Sequence, residues 1–209
     1  MTYSSETGSW EASGLEFAAK HSTHYSSGVY WNGAVNWFNI DNWGESVYYN
    51  VDDECLGKIP LPAIRKVNRQ HFVREYRQYG ESRGHLNLVN HVEFKARAPR
   101  VDVYELERDY CGWVWKFSVD IDSVEIPRHI ASCRVLSLVR MERDEQSFLL
   151  LHVPGKILRH ILGSGNLDKI CDVPSPPMSA DGPAWRRPGF GLRYSRYRSF
   201  QYIESLFGV

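Results

Sequence analysis

Gly28-Val-Tyr-Trp-Asn-Gly-Ala-Val-Asn-Trp-Phe-Asn-Ile40 is the stretch that decides how this chain folds. Asn32-Gly33 is a dipeptide that tolerates positive φ at both central positions of a type I′ turn. The runs on either side are rich in the β-branched and aromatic residues that fit a pleated, half-buried surface. The stretch therefore predicts two antiparallel strands, 28–31 and 34–40, joined by a tight hairpin. A looser turn over 41–45, a strand over 46–51, an Asp52-Asp53-Glu54 turn and a strand over 55–59 complete a four-stranded meander.

The same logic extends outward. Pro60-Leu-Pro62 interrupts the ladder, because a proline nitrogen donates no hydrogen bond and its φ is fixed. A second set of strands is predicted at 72–79, 85–94, 101–107 and 113–119, with 95–100 as a basic loop and Pro127 closing the set. A third set runs 134–139, 147–153, 157–162 and 167–173, with turns at Pro154-Gly155 and Gly163-Ser164-Gly165. Residues 63–78 have mixed leanings and are compatible with helix or strand. Before the first meander, residues 2–12 read as a hairpin across Thr7-Gly8. The unit of β-rich run, polar turn and β-rich run thus recurs from Tyr3 to Trp10, Tyr48 to Leu56, Tyr104 to Phe117 and Ile157 to Ile170. Sets beginning near Gly28, Phe72 and Arg134 have a period of about 45 to 60 residues, near the ~50 of kelch-type blades. The expectation is an all-β partial β-propeller of about three four-stranded antiparallel blades plus terminal strands, spanning 1–209 as one domain. Residues 174–189 hold five of the ten prolines and read as a loop or partly disordered linker, after which 191–207 suggests a last strand or two.

Composition narrows the function classes. Twenty-five basic and twenty-five acidic side chains balance, so no global field draws the chain to nucleic acid or an anionic membrane. The first 30 residues show no basic segment followed by an apolar core, and the longest apolar run, 148–151, is far too short to span a bilayer. An intracellular protein, cytoplasmic or nuclear, is expected. Cys55, Cys111, Cys133 and Cys171 are widely separated, without the paired spacing of a disulfide framework or zinc site.

Six fragments carry a more specific signal. Gly28-Val-Tyr-Trp-Asn-Gly33, Tyr79-Gly-Glu-Ser-Arg-Gly-His-Leu86, Val103-Tyr-Glu-Leu-Glu-Arg-Asp-Tyr110, Val135-Leu-Ser-Leu-Val139, the run 148–156 and Phe200-Gln-Tyr-Ile-Glu-Ser205 together resemble the F-box-associated, kelch-like β-propeller domain of plant F-box proteins. The resemblance covers nearly the whole chain and implies a substrate receptor of an SCF-type ubiquitin ligase, with the propeller holding the protein to be ubiquitinated. The N-terminal F-box of that family has no counterpart here, so a Skp adaptor is an expected partner only if an F-box is supplied upstream. The resemblance implies no catalytic residue and no cofactor.

Other chemistries were weighed on named residues. His21 and His24 lack further zinc ligands nearby, and His85 and His91 stand isolated, so exposed loop histidines are expected and no metal site. Gly163-Ser164-Gly165 lacks the strand-to-helix elbow of a hydrolase nucleophile. Asp52-Asp53-Glu54 and Arg143-Asp144-Glu145 fall at hairpin tips, where solvated charge is ordinary. No nucleophile, base and orienting group assemble from these residues, so no enzyme is expected. Arg186, Arg187, Arg193, Arg196 and Arg198 interleave with Trp185, Tyr194 and Tyr197, and this segment carries the alternative reading, a nucleic-acid-binding module. Trp31, Trp37, Trp43, Trp113 and Trp115 are expected in core and inter-blade packing rather than as a sugar platform. The residues that bind a substrate protein are not assigned by the sequence.

Overall fold

A computed structural model describes residues 2–11, 28–39, 45–64, 72–94, 98–121, 133–153 and 155–173. Among these residues the regular structure is β-strand, with a single 3-10 turn at Asp144–Gln146. Strands β1 (Thr2–Ser4) and β2 (Ser9–Glu11) form a two-stranded ribbon. Three four-stranded antiparallel sheets follow. They contain β3 (Val29–Trp31), β4 (Ala34–Trp37), β5 (Ser46–Asn50) and β6 (Cys55–Ile59); β7 (Phe72–Ser82), β8 (His85–Phe94), β9 (Arg100–Leu106) and β10 (Trp113–Asp120); and β11 (Arg134–Val139), β12 (Phe148–Val153), β13 (Lys156–Ile161) and β14 (Leu167–Asp172). In each sheet the strands lie in chain order. This is the all-β class expected, and sequential four-stranded meanders are consistent with a partial propeller.

The described residues fall into two compact units, one within 1–63 and 107–113, the other within 64–106 and 114–209. In the first, Asn32 and Gly33 sit at φ of 53° and 72°, so the β3–β4 hairpin turns as its dipeptide predicts. Asn36 is fully buried on β4. Its Nδ2 donates to the carbonyls of Val29 and Ala34, each at 3.1 Å, and its Oδ1 accepts from the Tyr110 hydroxyl at 3.0 Å. One amide thus ties the hairpin to the connection between β9 and β10. Tyr110 also stacks on Tyr48, with ring centroids 3.9 Å apart. Tyr48 in turn covers Gly57, where an added Cβ would lie 2.1 Å from the Tyr48 ring. Any larger residue there would have to displace the Tyr48 ring from its stack on Tyr110.

In the second unit the central strand β8 is buried from Leu86 to Phe94. Pairing sets Val89 opposite Val103 and His91 opposite Val101, so one face of the sheet presents a valine patch. That patch joins Ile121, Cys133, Leu138, Leu149, Leu151, Val153 and Leu158 in a single core, with Phe117 packed against it. The β13–β14 turn depends on close backbone approach. Gly163 N–H donates to the Glu145 carbonyl at 3.0 Å, and a Cβ at Gly163 would stand 2.5 Å from that oxygen. The Gly163-Ser164-Gly165 triplet is therefore explained by packing and by the φ of 70° at Gly165.

Several expectations are corrected. Strand β7 extends to Ser82, beyond the predicted end at 79, and from Phe72 onward the ambiguous 63–78 segment is strand. Arg100 opens β9 and is not part of a loop. His85 and His91 lie on β8, and His91 is 2 % exposed, because alternation turns it toward the second sheet of the unit. Trp31 is buried as expected, whereas Trp115 is 47 % exposed on the outermost strand β10. Trp43, Pro127, Pro154, the histidines at 21 and 24, the 174–189 loop, the 191–207 strands and the arginine-rich segment lie outside the described residues.

Three histidines are buried in this unit, His91, His152 and His160. Burial lowers the pKa of each, and the Arg134 charge lowers those of His91 and His152 further. His91 falls from its ordinary 6.5 to about 4.

Leu151→Ala, at a site with no exposure, is expected to cost about 3 kcal/mol in urea unfolding, from lost transfer energy plus a cavity. Gly163→Ala should cost about 1–3 kcal/mol because the obstacle is backbone. Gly80→Ala, with nothing within 4 Å of the new Cβ, is the neutral control. Equal midpoints for the two glycine variants would refute this account. Acid supplies a third test. Unfolded, His91 takes up a proton as the pH drops through 6.5, whereas folded it resists until about 4. The unfolded state therefore binds more protons in that window, and stability falls with pH by about 3 kcal/mol from this group, levelling off below. His91→Leu should flatten the slope, and stability that does not change across the window would contradict the assignment.

Candidate interaction surface

One end of the second unit gathers the β7–β8 turn, the β11–β12 connection and the ends of β9 and β10. Arg140 is the residue that joins them. Its side chain is 4 % exposed, and its backbone N–H donates to Ser82 Oγ at 3.0 Å. The guanidinium reaches Glu105 Oε2 at 3.3 Å and Asp144 Oδ1 at 3.1 Å, and lies 5.7 Å from the Phe117 ring centroid. A nearly buried arginine held by two carboxylates and an aromatic face has little freedom to move. Its neighbours on the chain are placed accordingly.

Glu105 collects three cationic side chains. His85 Nδ1 lies 2.6 Å from Oε1, while Lys116 Nζ and Arg140 Nη2 are each 3.3 Å from Oε2. Burial alone pushes this carboxyl up, but the His85 hydrogen bond and the charges of His85, Lys116 and Arg140 outweigh it, holding Glu105 below the usual glutamate range. At the rim, Arg83 and Glu142 approach to 3.8 Å across the two turns. Exposed pairs of this kind contribute little to stability. Their effect falls on the field that an approaching partner meets.

The chain segments that supply Lys116 and Arg140 also carry exposed apolar side chains. Trp115 is 47 %, Val114 41 % and Met141 40 % exposed. Met141 follows Arg140 directly, whereas Trp115 precedes Lys116 on β10 and strand alternation turns its side chain to the opposite face of the sheet. Trp, Met and Arg are the residue types enriched where protein partners bind. The site is a polar hub at one end of the unit, with exposed apolar residues on the segments that build it.

The sequence candidates distribute as follows. Asp52, Asp53 and Glu54 are exposed at the β5–β6 turn, as predicted. Arg143 and Glu145 are exposed, while Asp144 contributes to the hub through Arg140. His85 belongs to the hub, and sequence reasoning missed this because Glu105 is twenty positions away. The one legible trace was that Tyr79 to Leu86 and Val103 to Tyr110 both stood out as fragments. No group of three or more potential metal ligands occurs among the described residues, and no helix of the described residues is long and apolar enough to cross a membrane.

Comparison with known proteins adds one relation. The chain is 26 % identical over 222 aligned positions to an F-box protein of Arabidopsis thaliana, an alignment that covers 99 % of the chain and 50 % of the relative. The chain therefore spans about half the length of the curated relative it matches. No family model matches the sequence, and no solved structure matches it. What the chain resembles is thus a plant F-box protein, over nearly its whole length.

Proposed function

We propose that this chain is the substrate-recognition module of an F-box-type ubiquitin-ligase receptor, a kelch-like propeller module that holds a protein partner and makes no bonds itself. The observation that carries this reading is the similarity to an F-box protein along 99 % of the chain. Two structural features support it. The sheets are sequential four-stranded meanders, the repeating unit of propellers. Arg83 and the exposed Met141 lie on the two turns beside the Arg140 hub, and exposed Trp115 lies on β10, the strand that supplies Lys116 to it.

The physical role is one of proximity. A receptor of this kind raises the effective concentration of its bound protein near a conjugating enzyme and contributes no nucleophile. A standard interface buries about 1,600 Å² in total, with a few Trp, Tyr and Arg side chains carrying most of the energy. Trp115 and its neighbours are the anchors in this reading. A Skp-type adaptor enters only through an F-box, and the partner of this chain is the protein to be ubiquitinated, with no cofactor.

The test is crosslinking of the tagged chain in plant cells, with recovered proteins identified and their ubiquitination measured. A Trp115→Ala/Met141→Ala variant with an unchanged circular dichroism spectrum should lose its partners by about tenfold or more. Recovery of nucleic acid in place of protein would overturn the function. Undiminished recovery by the folded variant would overturn the surface.

A further inference from the structure

We propose that the seam between β7–β8 and β11 holds a small-anion slot that accepts a carboxylate group, independent of the interaction surface above. A cavity of about 30 Å³ is lined there by Tyr76, Gln78, Val89, His91, Arg134 and Val135. That volume holds one or two water-sized atoms. It is also the scale of a carboxylate head group.

Two observations favour an anion in this lining, one cationic side chain and one buried polar ring. Arg134 stacks over Tyr76, its guanidinium carbon 4.1 Å from the ring centroid, yet no carboxylate among the described residues forms an ion pair with it. His91 is 2 % exposed, and neither of its ring nitrogens has a hydrogen-bond partner. A buried polar group without a partner costs free energy that a bound acceptor recovers. Protonated, His91 becomes a second donor beside Arg134, and an anion between the two offsets a repulsion that otherwise opposes that proton. Arginine supplies planar donors suited to a carboxylate. One anion between them would accept from the buried His91 ring and from the Arg134 guanidinium together.

Other ionisable groups are packed around this seam, and of these the Glu93 carboxylate works against a bound anion. His152 lies opposite Arg134 in the β11–β12 register, and its neighbouring cationic charge likewise lowers its pKa. Cys133, buried and adjacent to Arg134 in sequence, is pushed up to about 12 by burial and by Glu93, so it stays neutral. Glu93 lies two residues beyond His91 on the same face of β8 and is buried. Tyr76 contributes its ring face, 5.9 Å from the His91 ring. Because anion binding stabilises the protonated imidazole, binding takes up a proton and tightens as the pH falls.

The experiment is titration of the full chain with sodium formate against a sodium chloride control of equal ionic strength, read from the His91 ring resonances. A saturable shift with a dissociation constant in the range of about 1–100 mM is expected. Affinity should rise by up to about tenfold for each pH unit lowered toward the folded His91 value of about 4, and level off below it. Arg134→Gln should weaken it by about tenfold. Saturation by N-acetylaspartate amide but not its asparagine counterpart assigns the slot to a carboxylate carried on a side chain, whereas saturation by formate alone assigns it to a free anion. No saturable shift with either probe up to about 100 mM would overturn the proposal, as would equal affinity in a folded Arg134→Gln variant. If that variant does not fold, the pH dependence in the wild-type chain decides, and pH-independent binding counts against the slot.

Discussion

The second unit depends on one constraint: two sheets, each with an apolar face, must bury those faces against each other. Val89, Val101 and Val103 meet Leu138, Leu149, Leu151, Val153 and Leu158 in that seam. Burial on this scale stabilises each large side chain by roughly 1.5–3 kcal/mol relative to exposure. Everything at the ends of the strands inherits its position from the seam. The Arg140 hub lies at one end of β11 because β11 is packed against the first sheet, and Arg140 reaches Glu105 only from there. Displacing the valine and leucine layers would separate the carboxylate from its cations.

The polar groups within and beside the seam show how specificity is added to burial. Hydrophobic packing is non-directional, so it does not by itself select which strand end meets which turn. The bond from Arg140 N–H to Ser82 Oγ and the shared use of Glu105 by His85, Lys116 and Arg140 do select it. In the first unit Asn36 has the same role on a smaller scale, linking the β3–β4 hairpin to Tyr110. Buried polar groups must find partners or destabilise the fold, and Asn36, Ser82 and Arg140 find theirs across long sequence separations. That is why a polar cluster of fixed geometry can be assembled from short turns and strand ends.

Much of the strand plan was legible from local chemistry. The predicted bounds of β6, β8 and β11 coincide with those observed, 55–59, 85–94 and 134–139, because alternation and turn residues at their ends are local signals. Asn32-Gly33 and the Asp52-Asp53-Glu54 turn were readable for the same reason. The interaction surface was not. His85 and Glu105 are brought together by pairing of β8 with β9, and Lys116 and Arg140 arrive from two further strands, so no window of sequence contains the set. Histidine orientation failed for a related reason: a polar residue on a strand buried on both faces gives no alternation to read, and His91 therefore looked like a surface residue.

What the amino-acid order determined alone is the alternation of strands and turns, since backbone propensity and side-chain period act over a few residues. Tyr48 above Gly57 and Gly163 against the Glu145 backbone are matters of tertiary structure, because those close approaches exist only once separate strands have paired. The same holds for the cations around Glu105 and the exposure of Trp115. Charge and aromaticity are written in the chain, but their distances are set by the packing of one sheet on another, which is a cooperative property of many residues at once.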